Sequence, residues 1–187
     1  MRELCRAWGL GNDLSPVQDL LQNTLSCALA RHQPMVFVCL GTDKVLGDCF
    51  GAVVGDLLLS LHLPTHIYGS TRNNVDAHNV RQTLEVVEAL HPGSLVVVVD
   101  ALSTTDSSTI GDVILSDQYI GLNARVEVTA DLFVYGVTTY LSPTRHNLYA
   151  RLGVVNRLAH NLAHTIASAI HNATHKNSIA FLERCLG

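Results

Sequence analysis

The segment SLVVVVDA, residues 94–101, constrains the fold more than any other part of the sequence, because every position between its serine and its aspartate is apolar. A strand with one face in water alternates apolar and polar residues, whereas a strand covered by helices on both faces is apolar throughout. The segment MVFVCLG, residues 35–41, has the same character. Together the two segments predict a sheet whose central strands lie between two layers of helices.

Helical periodicity fills the stretches between the predicted strands. Ser15, Pro16 and Gln18 form an N-terminal capping pattern that opens a helix extending to about residue 31. Apolar residues recur at helical spacing in residues 50–61 and again in residues 76–90. Near the C-terminus, a long helix is predicted from Thr144 to about Ile170, and a shorter one from Ser178 to Leu186.

Further strands are predicted at the segments HIYG, GDVILSD, ARVEV and LFVYGVT. Strands that alternate with helices form parallel β-α-β units. We therefore predict an α/β fold, namely a three-layer α/β/α domain with a mostly parallel sheet. Residues 1–187 are expected to form a single domain, since this length supports one substantial core.

Composition excludes several classes of partner. The net charge is −4 and the twelve Lys and Arg residues are scattered, so direct nucleic-acid binding is not expected. No apolar run approaches the roughly eighteen residues that a membrane span requires, so no membrane partner is expected. The first residues lack the apolar stretch of a secretory signal, and the five cysteines show no C-x-x-C spacing. Both features favour reduced thiols and a cytoplasmic localisation.

Two aspartates follow the two most strongly apolar segments. The loop LGTDKVLGDCFG, residues 40–51, places Asp48 after the first strand, and Asp100 ends the central one. In open α/β sheets, ligands bind beyond the carboxyl ends of the strands, where the strand order reverses. Two carboxylates at close range share one proton, which offers a base and an acid to the same substrate. The pair predicts metal-independent hydrolysis of an amide or peptide bond, with no cofactor.

These aspartates could also have purely structural roles instead of catalytic ones. Asp48 precedes a predicted helix and could cap its N-terminus, while Asp43 could brace the turn. Asp100 could accept hydrogen bonds from the following loop. Ser103, Thr104 and Thr105 are expected to form that loop, and no nearby histidine suggests a serine nucleophile.

Four stretches of the chain carry a family resemblance: VFVCLGTDKVLGDCFGAVVG, HIYGSTRNNVDAHNV, LVVVVDALSTTDSSTIGDVIL and ADLFVYGVT. They resemble the spore-protease-related sporulation protein family, sometimes called the YyaC type, a relative of the bacterial germination protease. The resemblance implies the phosphorylase/hydrolase-like fold of the germination protease, which is similar to that of the hydrogenase maturation endopeptidases. It also implies an aspartic-type endopeptidase (hydrolase) that acts on a protein or peptide substrate in sporulation. The alternative is a catalytically inactive member that binds a peptide or assembles as a homo-oligomer.

The resemblance also assigns residues. By motif, the two catalytic aspartates of the germination protease fall on Asp48 and Asp100. Substrate binding is expected of the loop residues Gly41, Thr42 and Asp43. It is also expected of Asn79 in the segment VDAHNV, whose amide could orient Asp48 or a substrate carbonyl.

Two metal hypotheses are weighed against this assignment. The hydrogenase endopeptidases use acidic residues at the matching positions, with a histidine, to bind nickel on their substrate. Residues 101–145 contain no histidine, and oxygen donors alone fit nickel poorly, so no metal is predicted for Asp48 and Asp100. Four further histidines share one face of the C-terminal helical pattern: His160, His164, His171 and His175. A solvated polar face is the favoured interpretation, and zinc bound between subunits is the alternative.

Overall fold

The computed structural model describes residues 8–9, 15–120, 128–142 and 148–186. Its helices are α1 (Ser15–Ala30), α2 (Phe50–Ser60), α3 (Val80–Leu90) and α4 (Leu152–Leu186). Its strands are β1 (Trp8–Gly9), β2 (Met35–Cys39), β3 (His66–Tyr68), β4 (Leu95–Thr104), β5 (Val113–Ser116), β6 (Leu132–Leu141) and β7 (Leu148–Ala150). In this part of the chain, no helix is long and apolar enough to cross a membrane.

The described strands form one sheet with the order β1-β5-β6-β4-β2-β3, and β7 pairs with β6. The four strands β3, β2, β4 and β6 are parallel, and β1, β5 and β7 join antiparallel to their neighbours. The chain leaves β2 toward β3 on one side and returns with β4 on the other. The strand order therefore reverses between β2 and β4, where open α/β sheets bind ligands.

Helices cover both faces of the sheet. Alternate residues of β2 point to opposite faces, as the period of a strand requires. Phe37 lies in a core cluster with side chains of α1, α2 and α4, whereas Val36 and Val38 lie in a second cluster with Val80 and Val87 of α3. The predicted α/β fold, with central strands buried between two helical layers, is confirmed.

The prediction for the C-terminal third was wrong in two respects. Residues 148–150, assigned to the start of a long helix, form β7, because Leu148 pairs antiparallel with Leu141 at the end of β6. The helix α4 begins at Leu152 and continues to Leu186 without the predicted break before Ser178. Neither Gly nor Pro occurs between His171 and Leu186 to end it.

Two other boundaries also differ from the sequence prediction. The strand β4 does not end on Asp100 but continues to Thr104, because β6 is long enough to pair with it as far as Tyr140. The helix α3 begins at Val80 rather than at Asp76, because a turn at residues 77–79 precedes it. The predicted strand ARVEV lies almost wholly outside the described residues.

Candidate functional site

A cleft of about 640 Å³ opens at the carboxyl ends of β2 and β4. One wall is the loop of residues 41–48, which joins β2 to α2, together with the turn at residues 76–78. The other wall is the part of β4 from Asp100 to Ser103, with Tyr119 beside it. Asp48 and Asp100 both line this cleft. The topological reversal thus brings the two aspartates of the sequence hypothesis to one cavity.

The loop of residues 41–48 folds back on itself around Asp48. Gly41 has a φ of +143°, a backbone conformation that residues with a Cβ rarely adopt, and a Cβ there would overlap the carbonyl of Asp48. The amide of Thr42 donates a hydrogen bond of 3.0 Å to Oδ2 of Asp48. The carboxylate is therefore held by its own loop. It does not cap α2, whose N-cap residue is Cys49 and makes no side-chain capping bond.

Gly51 allows α2 to approach the strand ends closely. A Cβ at this position would overlap the carbonyl of Leu40 and lie 2.7 Å from the carbonyl oxygen of Val99. Since real Cβ atoms do not come this close to backbone atoms, only glycine fits there. The close approach sets the first turn of α2, and with it Asp48, against the strand that carries Asp100.

The side chain of Thr138 in β6 forms a hydrogen bond to the same loop. Its hydroxyl is buried and donates a hydrogen bond of 2.8 Å to the carbonyl of Gly47, next to Asp48. The neighbouring Thr139 lines the cleft. The sequence analysis did not identify Thr138, because nothing in the pattern of residues 132–141 distinguishes it from other strand residues.

Asp100 is buried, with 8% of its surface exposed. Its Oδ1 accepts a hydrogen bond of 2.7 Å from the amide of Ala101, and its Oδ2 accepts a longer one of 3.4 Å from the hydroxyl of Tyr119. Burial raises the pKa of Asp100 to about 7; the Ala101 amide opposes this rise and the charge of Asp48 adds to it. Asp100 is therefore mostly protonated below pH 7 and about half protonated at neutral pH.

Asp48 is half-buried, and its environment differs from that of Asp100. Partial burial raises the pKa of Asp48, the Thr42 amide lowers it by stabilising the carboxylate, and the charge of Asp76 raises it. The two aspartates are close enough for the charge of Asp48 to act on Asp100. Because the two carboxyl groups have such different surroundings, one of them can act as the proton donor and the other as the proton acceptor.

Tyr119 is a site residue that the sequence analysis missed. It lies after β5, and its ring packs against Phe133 and Tyr135, with centroids 5.7 Å and 6.5 Å away. Burial and the neighbouring Asp100 raise the pKa of Tyr119 to about 12, so the phenol is protonated and can donate. No sequence motif links Tyr119 to Asp100, because only the tertiary fold brings them together. Tyr119 follows β5, and β6 lies between β5 and β4 in the sheet.

Of the four residues expected to bind substrate, Gly41 and Thr42 line the cleft. Asp43 is exposed, and its carboxylate accepts a hydrogen bond of 3.1 Å from the side-chain amide of Asn74. Asn79 accepts from the Asp76 amide at 2.8 Å and donates to the Asn74 carbonyl at 2.9 Å. The side chains of Asp43 and Asn79 thus brace residues 74–76, next to the turn that lies in the same wall as the loop of residues 41–48.

The side chains lining the cleft that could bind a metal are the carboxyl groups of Asp48, Asp76 and Asp100 and the imidazole of His78. Carboxylate oxygens suit nickel poorly, whereas an imidazole suits it. Nowhere in the described ranges are three His, Cys, Asp or Glu side chains grouped so that they could hold a metal ion. Of the histidine stripe, His160, His164 and His171 are exposed on α4, as a solvated face requires. The side chain of His175 lies outside the described part.

The layers and the sheet are those of the hydrogenase maturation proteases. The solved structure of the NiFe hydrogenase maturation protease HycI from Thermococcus kodakarensis matches with a TM-score of 0.53 and 18% identity, covering 79% of this chain and 99% of HycI. At 18% sequence identity, this similarity shows a shared fold alone.

The chain belongs to the family described as protein of unknown function DUF1256, which matches residues 12–169. The uncharacterized protein YyaC of Bacillus subtilis is 32% identical over 124 residues, which is 63% of this chain, and the match spans 60% of the length of YyaC. The resemblance to the YyaC type is thereby confirmed. The relation to the germination protease stays a prediction.

Proposed function

We propose that this chain is a peptide hydrolase, specifically an aspartic endopeptidase that uses Asp48 and Asp100 without a metal. The observation that carries the proposal is that both carboxyl groups line one cleft, in which the charge of Asp48 raises the pKa of Asp100. Asp100, the more buried group, is the proton donor in the molecules that keep its proton near neutral pH. Asp48, which the Thr42 amide stabilises as a carboxylate, is the base.

The reaction follows from these protonation states. Asp48 accepts a proton from a water molecule while the oxygen of that water forms a bond to the scissile carbonyl carbon. Asp100 donates its proton to the carbonyl oxygen, which forms a neutral tetrahedral diol. When the carbon–nitrogen bond breaks, Asp48 passes its proton to the leaving nitrogen, and the diol returns the other proton to Asp100. General acid–base catalysis of this kind contributes about 10²–10⁴ to the rate.

The proposed substrate is a protein or peptide, and the proposed setting is sporulation. The proposal of a protein or peptide substrate rests on the cleft of about 640 Å³ and on the fold shared with HycI. The proposal of sporulation rests on the sequence resemblance described above.

The test is cleavage of a random-sequence library of quenched fluorescent peptides, read by fluorescence and mass spectrometry, with excess chelator in one arm. The wild-type chain should cleave equally with and without chelator. Asp48→Asn and Asp100→Asn should each lower the rate at least about a hundredfold while remaining folded. The matched control is Asp19→Asn, which removes an exposed carboxylate from α1 and should cleave like the wild type.

Two results would contradict the proposal. Full activity in Asp100→Asn would remove this group from the mechanism, and loss of activity in chelator would assign the chemistry to a metal. Binding of library peptides without cleavage would favour the alternative of an inactive peptide-binding member.

A further inference from the structure

The strand β4 has a free backbone edge inside the cleft. On one side it pairs with β6 from Val97 with Leu132 to Thr104 with Tyr140. On the other side its neighbour β2 pairs only as far as Cys39 with Val99, and within the described ranges no strand pairs with this edge beyond that point. The cleft therefore lies beside residues 101–104 of β4, in the position that a neighbouring strand would fill. We call this position the lane.

The backbone groups of Ala101 point into this lane. The carbonyl of Val99 accepts a hydrogen bond of 2.7 Å from the Leu40 amide, so the polar groups of Val99 face β2. Because successive residues of a parallel strand face opposite neighbours, those of Ala101, two positions on, face the same side. Its amide donates to the side chain of Asp100, and Ala101 is one of the residues that line the cleft. A free edge of this kind is where proteins add an extended peptide as a further strand.

The dimensions and charge of the lane indicate what it accepts. Residues 101–104 continue for roughly 13 Å beyond the last pairing with β2, which is enough for about four residues of an extended chain. The cleft is lined by the carboxylates of Asp48 and Asp76, by the carboxyl group of Asp100, which is partly protonated at neutral pH, and by the imidazole of His78. No Lys or Arg is among its described lining residues. Acidic peptides would therefore be repelled and basic ones attracted.

We propose, building on the proposed function, that an extended substrate segment with neutral or basic side chains binds as an added strand along the free edge of β4 at Ala101. The substrate backbone donates an N–H to the Ala101 carbonyl. Since Ala101 adjoins Asp100, a peptide bound in this way passes directly over the carboxyl pair. The pairing recognises the backbone, and the charge of the cleft selects among side chains.

The experiment measures binding separately from cleavage by using the Asp100→Asn variant, which keeps the carboxylates of Asp48 and Asp76 in the cleft. The probe is an acetylated octapeptide of alternating lysine and valine, compared with its fully N-methylated form and with the matching glutamate–valine peptide. Carbonyl ¹³C labels at Ala101 and at Ile67 report by NMR. Ile67 is the control because β3 is the outer edge of the sheet and offers a competing strand edge.

The lysine peptide should shift the Ala101 signal and leave the Ile67 signal in place. N-methylation should weaken binding at least tenfold, and the glutamate peptide should bind more weakly than the lysine peptide. Equal affinity of the methylated peptide, a shift at Ile67 instead of Ala101, or no binding of the lysine peptide would each overturn the inference. None of these results decides whether wild-type chain cleaves peptides, so the two proposals fail separately.

Discussion

The hydroxyl of Thr138 donates a hydrogen bond of 2.8 Å to the carbonyl of Gly47, which lies 91 positions earlier in the chain. The bond ties the strand β6 to the loop that carries Asp48. It is buried, so its donor cannot be replaced by water without rearrangement.

Replacing Thr138 with valine should therefore destabilise the protein and impair cleavage. Valine has nearly the same shape but leaves the Gly47 carbonyl without its donor, at a cost of about 1–3 kcal/mol in the free energy of unfolding. The loosened loop should lower the cleavage rate at least tenfold at temperatures where the variant is folded. Urea denaturation and the peptide library assay measure the two effects.

The control is Thr24→Val in α1, where the hydroxyl donates to the Leu20 carbonyl at 2.9 Å within the helix. That carbonyl lies in a helix and far from the cleft, so the unfolding free energy should change by no more than about 0.5 kcal/mol. If both variants behave alike, the Thr138 bond does not position the loop.

The stability of the protein should fall as the pH rises from about 4 to about 7. Asp100 keeps its proton up to about pH 7 when folded, whereas an unfolded aspartate loses it near its ordinary value of 3.8. The folded state thus binds more protons in this window, and the stabilisation present below it is lost as the pH rises through the folded pKa. The raised pKa of Asp48 acts with the same sign.

Denaturation of the wild type and Asp100→Asn across this pH range measures the effect. The three-unit difference sets an upper bound of about 4 kcal/mol on the contribution of Asp100. Asparagine cannot ionise, so the variant should lose most of the pH dependence and be the more stable protein at pH 8. Parallel curves for the two proteins would mean that Asp100 titrates normally.

Replacing Tyr119 with phenylalanine should shift the pH profile of cleavage rather than abolish it. The tyrosine hydroxyl lowers the pKa of Asp100 by donating to its carboxylate. Without that donor, Asp100 should keep its proton to higher pH, and the basic limb of the rate profile should move upward. An unchanged limb with a uniformly lower rate would indicate that Tyr119 acts only by packing against Phe133 and Tyr135.

The central layers of this fold could be predicted from the sequence because their signals are local. A run such as residues 95–99 is apolar on both faces, and only a strand between helical layers buries it fully. The proximity of Asp48 and Asp100 followed from the same logic, since parallel strands bring their carboxyl ends to one edge. The structure adds the reason: β2 and β4 are neighbours at the reversal of strand order.

The features that escaped prediction depend on contacts between distant parts of the chain. The extension of β4 to Thr104 is stabilised by β6, and β7 forms only because β6 presents an edge at Leu141. Local pattern instead favoured a loop after Asp100 and a helix from Thr144. The capping role considered for Asp48 is not observed, because the Thr42 amide satisfies its carboxylate within the loop.

The protonation of Asp100 beside Asp48 is tested most directly by ¹³C NMR titration of the Asp100 carboxyl carbon in the wild type and in Asp48→Asn. We expect Asp100 to titrate near pH 7 in the wild type and at a lower pH in the variant, where the neighbouring charge is gone. Titration near the ordinary aspartate value, or an identical curve in both proteins, would contradict a shared proton and with it the proposed hydrolase.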